Sequence, residues 1–553
     1  MKKTPGLFLF LTLALGGLLI AACASRNSSS GSALAADDDD DNDDNDDNIS
    51  DDDDDNIDAD LVVDASQIVG QLNRWLNGGH YHDETPDPNQ LAIGETFRRR
   101  VASSANHMHW DCDTQSFDAD TIAEYDDWLD LLQTDGLEPM ISLAYVPECL
   151  TGWGYPKAPP LPSEAAAYEA YIRSFFHEFV TNRVAAGKKP LQYFEVWNEP
   201  DPELPQPTTG GSGFFGTLDE FVDRIFIPLG QAVLAEEAAS GAYVNIGVAA
   251  CAIPHPMSDD FADLQAFLRF AGVQPDTAAL LGAAGEAFLN LFYPWGGFAA
   301  LWNTGGYTWP DRLVKTGAEQ GIHVDFVSWH HYIDFPFEGP GPGCDVPNFV
   351  WFMHQANPGA NAHQYYANAQ DYHDRYPNQK AFVTEWGTSY GCESRPAYEV
   401  GAFHATSLIA MQQGGLDAAM ALYLPGTGPE AIAHWMFAHM ADNLARQQLK
   451  ENSEATGLWT LASIDHANPD RLTLFLAQWR SLAKDVTSRT IKVAVLGMPL
   501  GAYQAAVRLV DEQHPGSTTP ARVYALAVGA DGTMRFDAPL NGNAAAFLDI
   551  TRH

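Results

Sequence analysis

Two glutamates stand where an acid/base pair could be assembled. Glu199 closes the apolar stretch Tyr193-Phe194-Glu195-Val196-Trp197-Asn198-Glu199-Pro200, and Glu385 follows Ala381-Phe382-Val383-Thr384 and precedes Trp386-Gly387. Bulky and β-branched residues favour extended backbone, and Pro200 moves the residue before it out of the helical region, so each carboxylate is expected at the carboxyl end of a strand. In a parallel β/α barrel that end carries the chemistry. Two carboxyl groups meeting there can divide the work of acid and base.

The elements that must position this pair alternate strand with helix. Strands are predicted over residues 67–72, 97–102, 140–146, 193–199, 246–250, 324–329, 381–384 and 416–422, with a polar loop around 78–89 separating the first two. Between them lie helical patterns. Thr121 and Glu124 suggest a capping box ahead of a face made of Ile122, Tyr125, Leu129 and Leu132. Residues 168–180 show aromatic and apolar side chains at helical spacing, and Thr217 with Glu220 caps a helix running toward Gly241. Further helices are expected over 362–376, 396–413 and 469–482. Strands and helices in alternation, with no hairpin signal between them, predict the α/β class and a (β/α)8 TIM barrel over residues 61–483. Glu199 then ends the fourth strand and Glu385 the seventh. Short β-like runs at 490–496, 504–510, 522–528 and 546–550 predict a small C-terminal β-sandwich domain over 484–553.

With 553 residues the chain can bury a large core, and its 11% aromatic content suits both packing and sugar binding. The first 23 residues read as a lipoprotein signal peptide: Lys2 and Lys3, an apolar run from Leu7 to Ile20, then Ala21-Ala22-Cys23. Cys23 is the expected lipidation site, which places the protein outside the cytoplasm, anchored to a bacterial cell envelope. Residues 24–60 are low in complexity and predict a disordered tether, with 16 Asp between positions 37 and 60. Removing residues 1–60 still leaves 57 acidic against 27 basic residues, within a formal charge of −43 for the whole chain. That balance disfavours nucleic acid and anionic membrane surfaces as partners, so contact with a membrane is expected only through the lipid. Five cysteines follow Cys23, none at zinc-binding spacing, and no metal site is expected. Cys112 with Cys149, and Cys344 with Cys392, follow adjacent predicted strands and could clamp loops on the catalytic face, leaving Cys251 free.

The stretch 194–201, the run Asp325-Phe326-Val327-Ser328-Trp329-His330-His331-Tyr332 and Val383-Thr384-Glu385-Trp386 together resemble glycoside hydrolase family 39. Leu137 to Leu143 through Pro147 and Leu150, Phe214-Phe215-Gly216-Thr217 and residues 507–514 are similar as well, so the resemblance spans most of residues 120–515. The family belongs to a retaining (β/α)8 clan and includes β-xylosidases and α-L-iduronidases. The resemblance implies a glycosidase acting by double displacement, with Glu199 as general acid/base and Glu385 as nucleophile. It also implies that Asn198 binds the sugar 2-hydroxyl and that His330 and Tyr332 contact sugar and nucleophile. Trp386 is a candidate sugar platform. His107, together with His109 and Trp110, is a candidate for lining the terminal-sugar subsite. Glu195, within its strand, is expected in the barrel interior, and His331 is expected to alternate away from the pocket. The two carboxylates suffice for this chemistry, so no cofactor is expected, and the partner is a carbohydrate. Leu422-Tyr423-Leu424-Pro425-Gly426-Thr427 departs from the family's Trp-containing eighth-strand run, and Val248-Ala249-Ala250 from its usual fifth-strand end. A non-catalytic carbohydrate-binding surface lipoprotein on a glycosidase scaffold is the alternative reading. Replacing Glu199 and Glu385 by Gln separates the two.

Overall fold

Eight parallel strands close into a barrel in the order in which they occur along the chain: Gly78–Tyr81, Phe97–Ala102, Glu138–Leu143, Tyr193–Val196, Asn245–Ala249, Phe326–Ile333, Lys380–Thr388 and Ala418–Leu422, the last pairing with the first. The computed structural model describes residues 59–81, 87–102, 108–152, 155–200, 214–249, 308–333, 360–388, 396–441, 446–453, 457–465, 468–479 and 486–553. Glu385 lies on the seventh barrel strand, as expected, whereas Glu199 lies three residues beyond the end of the fourth.

The first strand corrects the sequence reading. Residues 78–81, expected to be loop, are Gly-Gly-His-Tyr and carry no β-branched signal, yet they pair with both neighbours. Glycine is required there by crowding, since a Cβ on Gly78 would lie 2.6 Å from the Ala419 carbonyl oxygen. Residues 67–72 instead fall largely within Leu61–Gln71, a strand that pairs antiparallel with Arg446–Ser453 and parallel with Arg489–Leu496 in a second, nine-stranded sheet. Asn468–Gln478, expected to be helical, is also a strand of that sheet. Its apolar run is buried on both faces, which erases the alternation that marks a half-buried strand. Leu472, Leu474 and Leu476 enter the sheet's own core, while Phe475 and Ala477 join the barrel core. The β-rich region thus takes in an amino-terminal strand and begins near residue 446 rather than 484. Its outermost strands, Arg522–Ala527 and Thr533–Leu540, meet at a bridge between Val528 and Met534, so the sheet curls around one core.

Helices cover the barrel. Ala119–Thr134 is capped by Asp118, not by Thr121, and turns its Tyr125, Trp128, Leu129 and Leu132 inward. Thr217 and Glu220 form the expected reciprocal cap, and Gly241 ends Ile227–Ser240 in the left-handed conformation. The floor of the barrel is apolar: Phe97, Met140, Tyr193, Phe326, Phe382 and Met420 fill it, and Trp75 plugs it with edge-on contacts to Phe97 and Tyr193 at 5.9 and 6.0 Å. This seal means that inward side chains higher on the strands face only the opposite mouth.

A disulfide joins Cys112 to Cys149, clamping the segments that follow the second and third strands. Cys251, Cys344 and Cys392 lie outside the described residues, as do residues 1–58, with Cys23 and the expected leader and tether among them. Among the described residues, no helix is long and apolar enough to cross a membrane.

Candidate active site

Strand geometry decides which side chains share the mouth. Alternation on the sixth strand turns Ser328 and His330 toward the axis and Trp329 and His331 outward, where Trp329 stacks on Tyr372 at 4.2 Å and His331 meets Tyr365 at 4.6 Å. Tyr332 lies on the same strand opposite Gly387, and its side chain falls outside the described residues. On the seventh strand the register slips between Val383 and Glu385. Such a bulge lets two successive residues face the same way. Thr384 and Glu385 accordingly both reach inward, and Trp386 is turned out. The strand also runs on to Thr388 instead of stopping at the carboxylate.

Glu199 is presented differently. Its strand ends at Val196, and Trp197 and Glu199 then adopt positive φ of 71° and 49°, a conformation costly for residues with side chains. The Ser142 hydroxyl donates to the Trp197 carbonyl at 2.5 Å, and the Trp197 ring is pinned edge-on by Tyr145, Phe214 and Phe221. These contacts hold the turn that carries Asn198 and Glu199 over the mouth.

The two carboxylates converge on one imidazole. His330 Nδ1 lies 2.6 Å from Glu199 Oε1 and 3.4 Å from Glu385 Oε2, and ligand-type atoms of the three residues all fall within 4.8 Å of one another. Burial works against a charge on His330, but Glu385 and Glu199, and the hydrogen bond to Glu199, outweigh it and raise its pKa above the ordinary histidine value. Arg99 Nη1 donates to Glu385 Oε1 at 2.8 Å, and His80 Nε2 lies 3.4 Å from the same oxygen. Arg99 Nη2 donates to Asn198 Oδ1 at 2.8 Å. Burial opposes the charge of this guanidinium too, and Glu195 and Glu385 keep its pKa raised nonetheless. The spacing of the Glu199–His330–Glu385 trio would admit a cation, but the Arg99 charge already on Glu385 repels one. Tyr145, from the loop after the third strand, hydrogen-bonds Asn198. Burial, with the charges of Glu199 and Glu385, pushes its phenol up to about 12, so it remains protonated at neutral pH. Half-buried Lys157 lies 5.0 Å over the Tyr145 ring; burial lowers its pKa and the Glu199 charge acts the other way.

The structure therefore gathers Glu199, Glu385, Asn198 and His330 at one mouth. Trp386 is corrected: its ring is fully buried against Tyr365, Phe403, His404 and His434, so its faces are closed to a sugar. Trp197 and Trp329 are likewise core. Trp110 packs on Phe117 and Tyr171, and His109 is exposed. His107 lies outside the described residues. Arg99 and His80 complete the centre without belonging to any motif, and Tyr145 lies within the similar segment 137–150 but is not among the residues to which the resemblance gives a role. Arg99 does leave a sequence signal, three arginines in a six-residue strand whose neighbours are apolar. Alternation sends Arg98 and Arg100 outward, to Glu95 and Glu124, and the middle one to the axis.

An eight-stranded barrel with paired carboxylates at its carboxyl-terminal mouth defines the class of scaffold. No family model matches the sequence, and no curated protein does. Among solved structures, the fold is similar to that of a glucosidase from Croceicoccus marinus (15% identity, TM-score 0.55, covering 90% of this chain and 99% of that one). It is also similar to a GH39 enzyme from Xanthomonas axonopodis pv. citri (14%, TM-score 0.57, 89% and 97%). A third likeness is to a monomeric β-xylosidase from Caulobacter crescentus (15%, TM-score 0.55, 89% and 99%). The chain thus has the fold of GH39 glycoside hydrolases along nearly its whole length.

Proposed function

We propose that this protein is a retaining glycoside hydrolase of the family 39 type, acting on oligo- or polysaccharides outside the cytoplasm. The observation that carries this reading is that a carboxylate oxygen of Glu199 and one of Glu385 lie within 4.8 Å of each other, around a shared imidazole at the mouth of a barrel sealed at its floor. Retaining enzymes place their two carboxyl groups about 5–5.5 Å apart, whereas inverting enzymes leave roughly 6.5–9.5 Å to admit a water between them. The closer spacing favours covalent catalysis.

In the first step the Glu385 carboxylate attacks the anomeric carbon as Glu199 gives its proton to the departing glycosidic oxygen. In the second, Glu199, now ionised, takes a proton from water as that water attacks the same carbon and releases Glu385. Arg99 orients Glu385 through its Oε1, and Asn198, oriented by Arg99 and Tyr145, is the residue to meet the sugar 2-hydroxyl. The Ala21-Ala22-Cys23 sequence supports lipid anchoring at Cys23, with the Asp-rich segment as spacer.

Product stereochemistry tests the reading. Residues 61–553, given a panel of 4-nitrophenyl glycosides and followed by proton NMR in the first minutes, should release a sugar of the same anomeric configuration as its substrate. Inversion would overturn the double-displacement assignment.

A further inference from the structure

Glu195 lies one layer below the reacting carboxylates, and neither chemical step uses it. It is fully buried. A buried carboxylate is tolerated only when it is paired and hydrogen-bonded, and this one is saturated. Arg99 donates to its Oε2 from Nε at 2.8 Å and from Nη2 at 2.5 Å, while Ser328 and Thr384 hydroxyls donate to its Oε1 at 2.6 and 2.9 Å. Donors from the second, sixth and seventh strands thus meet one acceptor on the fourth. The guanidinium is a rigid plane, so fixing its Nε–Nη2 edge also fixes the direction in which Nη1 points. That direction is Glu385 Oε1.

Resting on the reading of Glu385 as nucleophile, we propose that Glu195 is a positioning residue with two tasks: it aims Arg99 at Glu385 and Asn198, and its negative charge limits how strongly Arg99 holds the charge on Glu385. The second task has a definite sign. Attack on the anomeric carbon removes negative charge from Glu385, so an Arg99 freed of its counter-charge would hold that carboxylate in its resting state and slow the attack. The same unbalanced cation would keep Glu385 ionised to lower pH. The other groups facing this carboxylate are unchanged by a substitution at 195: His80 from the first strand, His330 from the sixth, Glu199 across His330, and Tyr145 from the loop after the third.

Glu195→Gln, assayed on a glycoside that the wild type hydrolyses, is expected to move the acid limb of the kcat/KM profile down by about one pH unit. Its kcat should fall about 10- to 100-fold with KM changed less than about threefold, the signature of an interaction that matters mainly in the transition state. Glu195→Asp keeps the charge and should keep the limb in place. A Glu195→Gln protein with the wild-type limb and kcat overturns the proposal, as does a loss of activity that only tracks the amount of folded protein. Should Glu195→Gln fail to fold, Ser328→Ala/Thr384→Val retains the charge but removes two of its four donors. It is expected to lower kcat about tenfold with the limb unmoved, and an unchanged kcat there overturns the proposal equally. A wild type inert on every glycoside contradicts the hydrolase reading itself, and the role of Glu195 falls with it.

Discussion

Glu385→Gln should abolish turnover, lowering kcat by at least about 10⁴-fold, while the protein stays folded and still binds sugar. An amide has the size of a carboxylate but no charge with which to attack carbon, so the covalent step is lost outright. The fold should survive because the amide oxygen can still accept the Arg99 Nη1 hydrogen bond that Glu385 Oε1 accepts at 2.8 Å. Arg99 also keeps Glu195 as its anionic partner. Steady-state rates on a nitrophenyl glycoside, with calorimetric titration of the reaction product, check this directly. A variant that keeps a tenth of wild-type activity contradicts the assignment. Sugar affinity retained by both forms, with no turnover in the wild type, would instead indicate a binding protein.

The effect of Glu199→Gln should depend on the leaving group. A proton delivered in the transition state is worth about 10²- to 10⁴-fold, and substrates with basic, alcohol-like leaving groups should lose that much in kcat/KM. A dinitrophenolate departs without protonation, so kcat/KM for a dinitrophenyl glycoside should fall by less than about tenfold. The second step also needs Glu199, as base toward water. With the activated substrate, the glycosyl-enzyme should therefore accumulate, visible as a burst of dinitrophenolate followed by a slow phase. Added azide, a nucleophile that needs no base, should restore the slow phase. An equal loss on both substrate types, with no burst, would remove Glu199 from the acid/base role.

Much of this centre is legible in the sequence because motif residues and strand termini coincide. Asn198-Glu199-Pro200 marks the end of the fourth strand, and alternation along Phe326-Val327-Ser328-Trp329-His330 assigns Ser328 and His330 to the inside without any structure. Trp386 shows where alternation fails. The bulge before Glu385 is a property of strand pairing rather than of composition, and it turns the next side chain from the pocket into the helices. The first strand escapes detection because its two glycines and His80 are chosen for crowding and for the site rather than for β-propensity. Residues 468–478 escape because a strand lying between two cores has no polar face. Arg99 and Glu195, ninety-six positions apart, become partners only through barrel closure. Neither motif nor spacing could join them.

The central claim is that Glu385 forms a covalent bond to the sugar. Incubating residues 61–553 with activated 2-deoxy-2-fluoro glycosides, followed by intact-mass and peptide mass spectrometry, tests it most directly. The electron-withdrawing fluorine slows both formation and breakdown of the intermediate, and the activated leaving group restores the rate of formation alone, so the intermediate accumulates. The predicted result is a mass increase of one fluorosugar, located on the peptide containing Glu385, with the reactive reagent identifying the preferred sugar. Label on Glu199 or another carboxylate, or rapid turnover of natural polysaccharide with no label from any reagent, would contradict it.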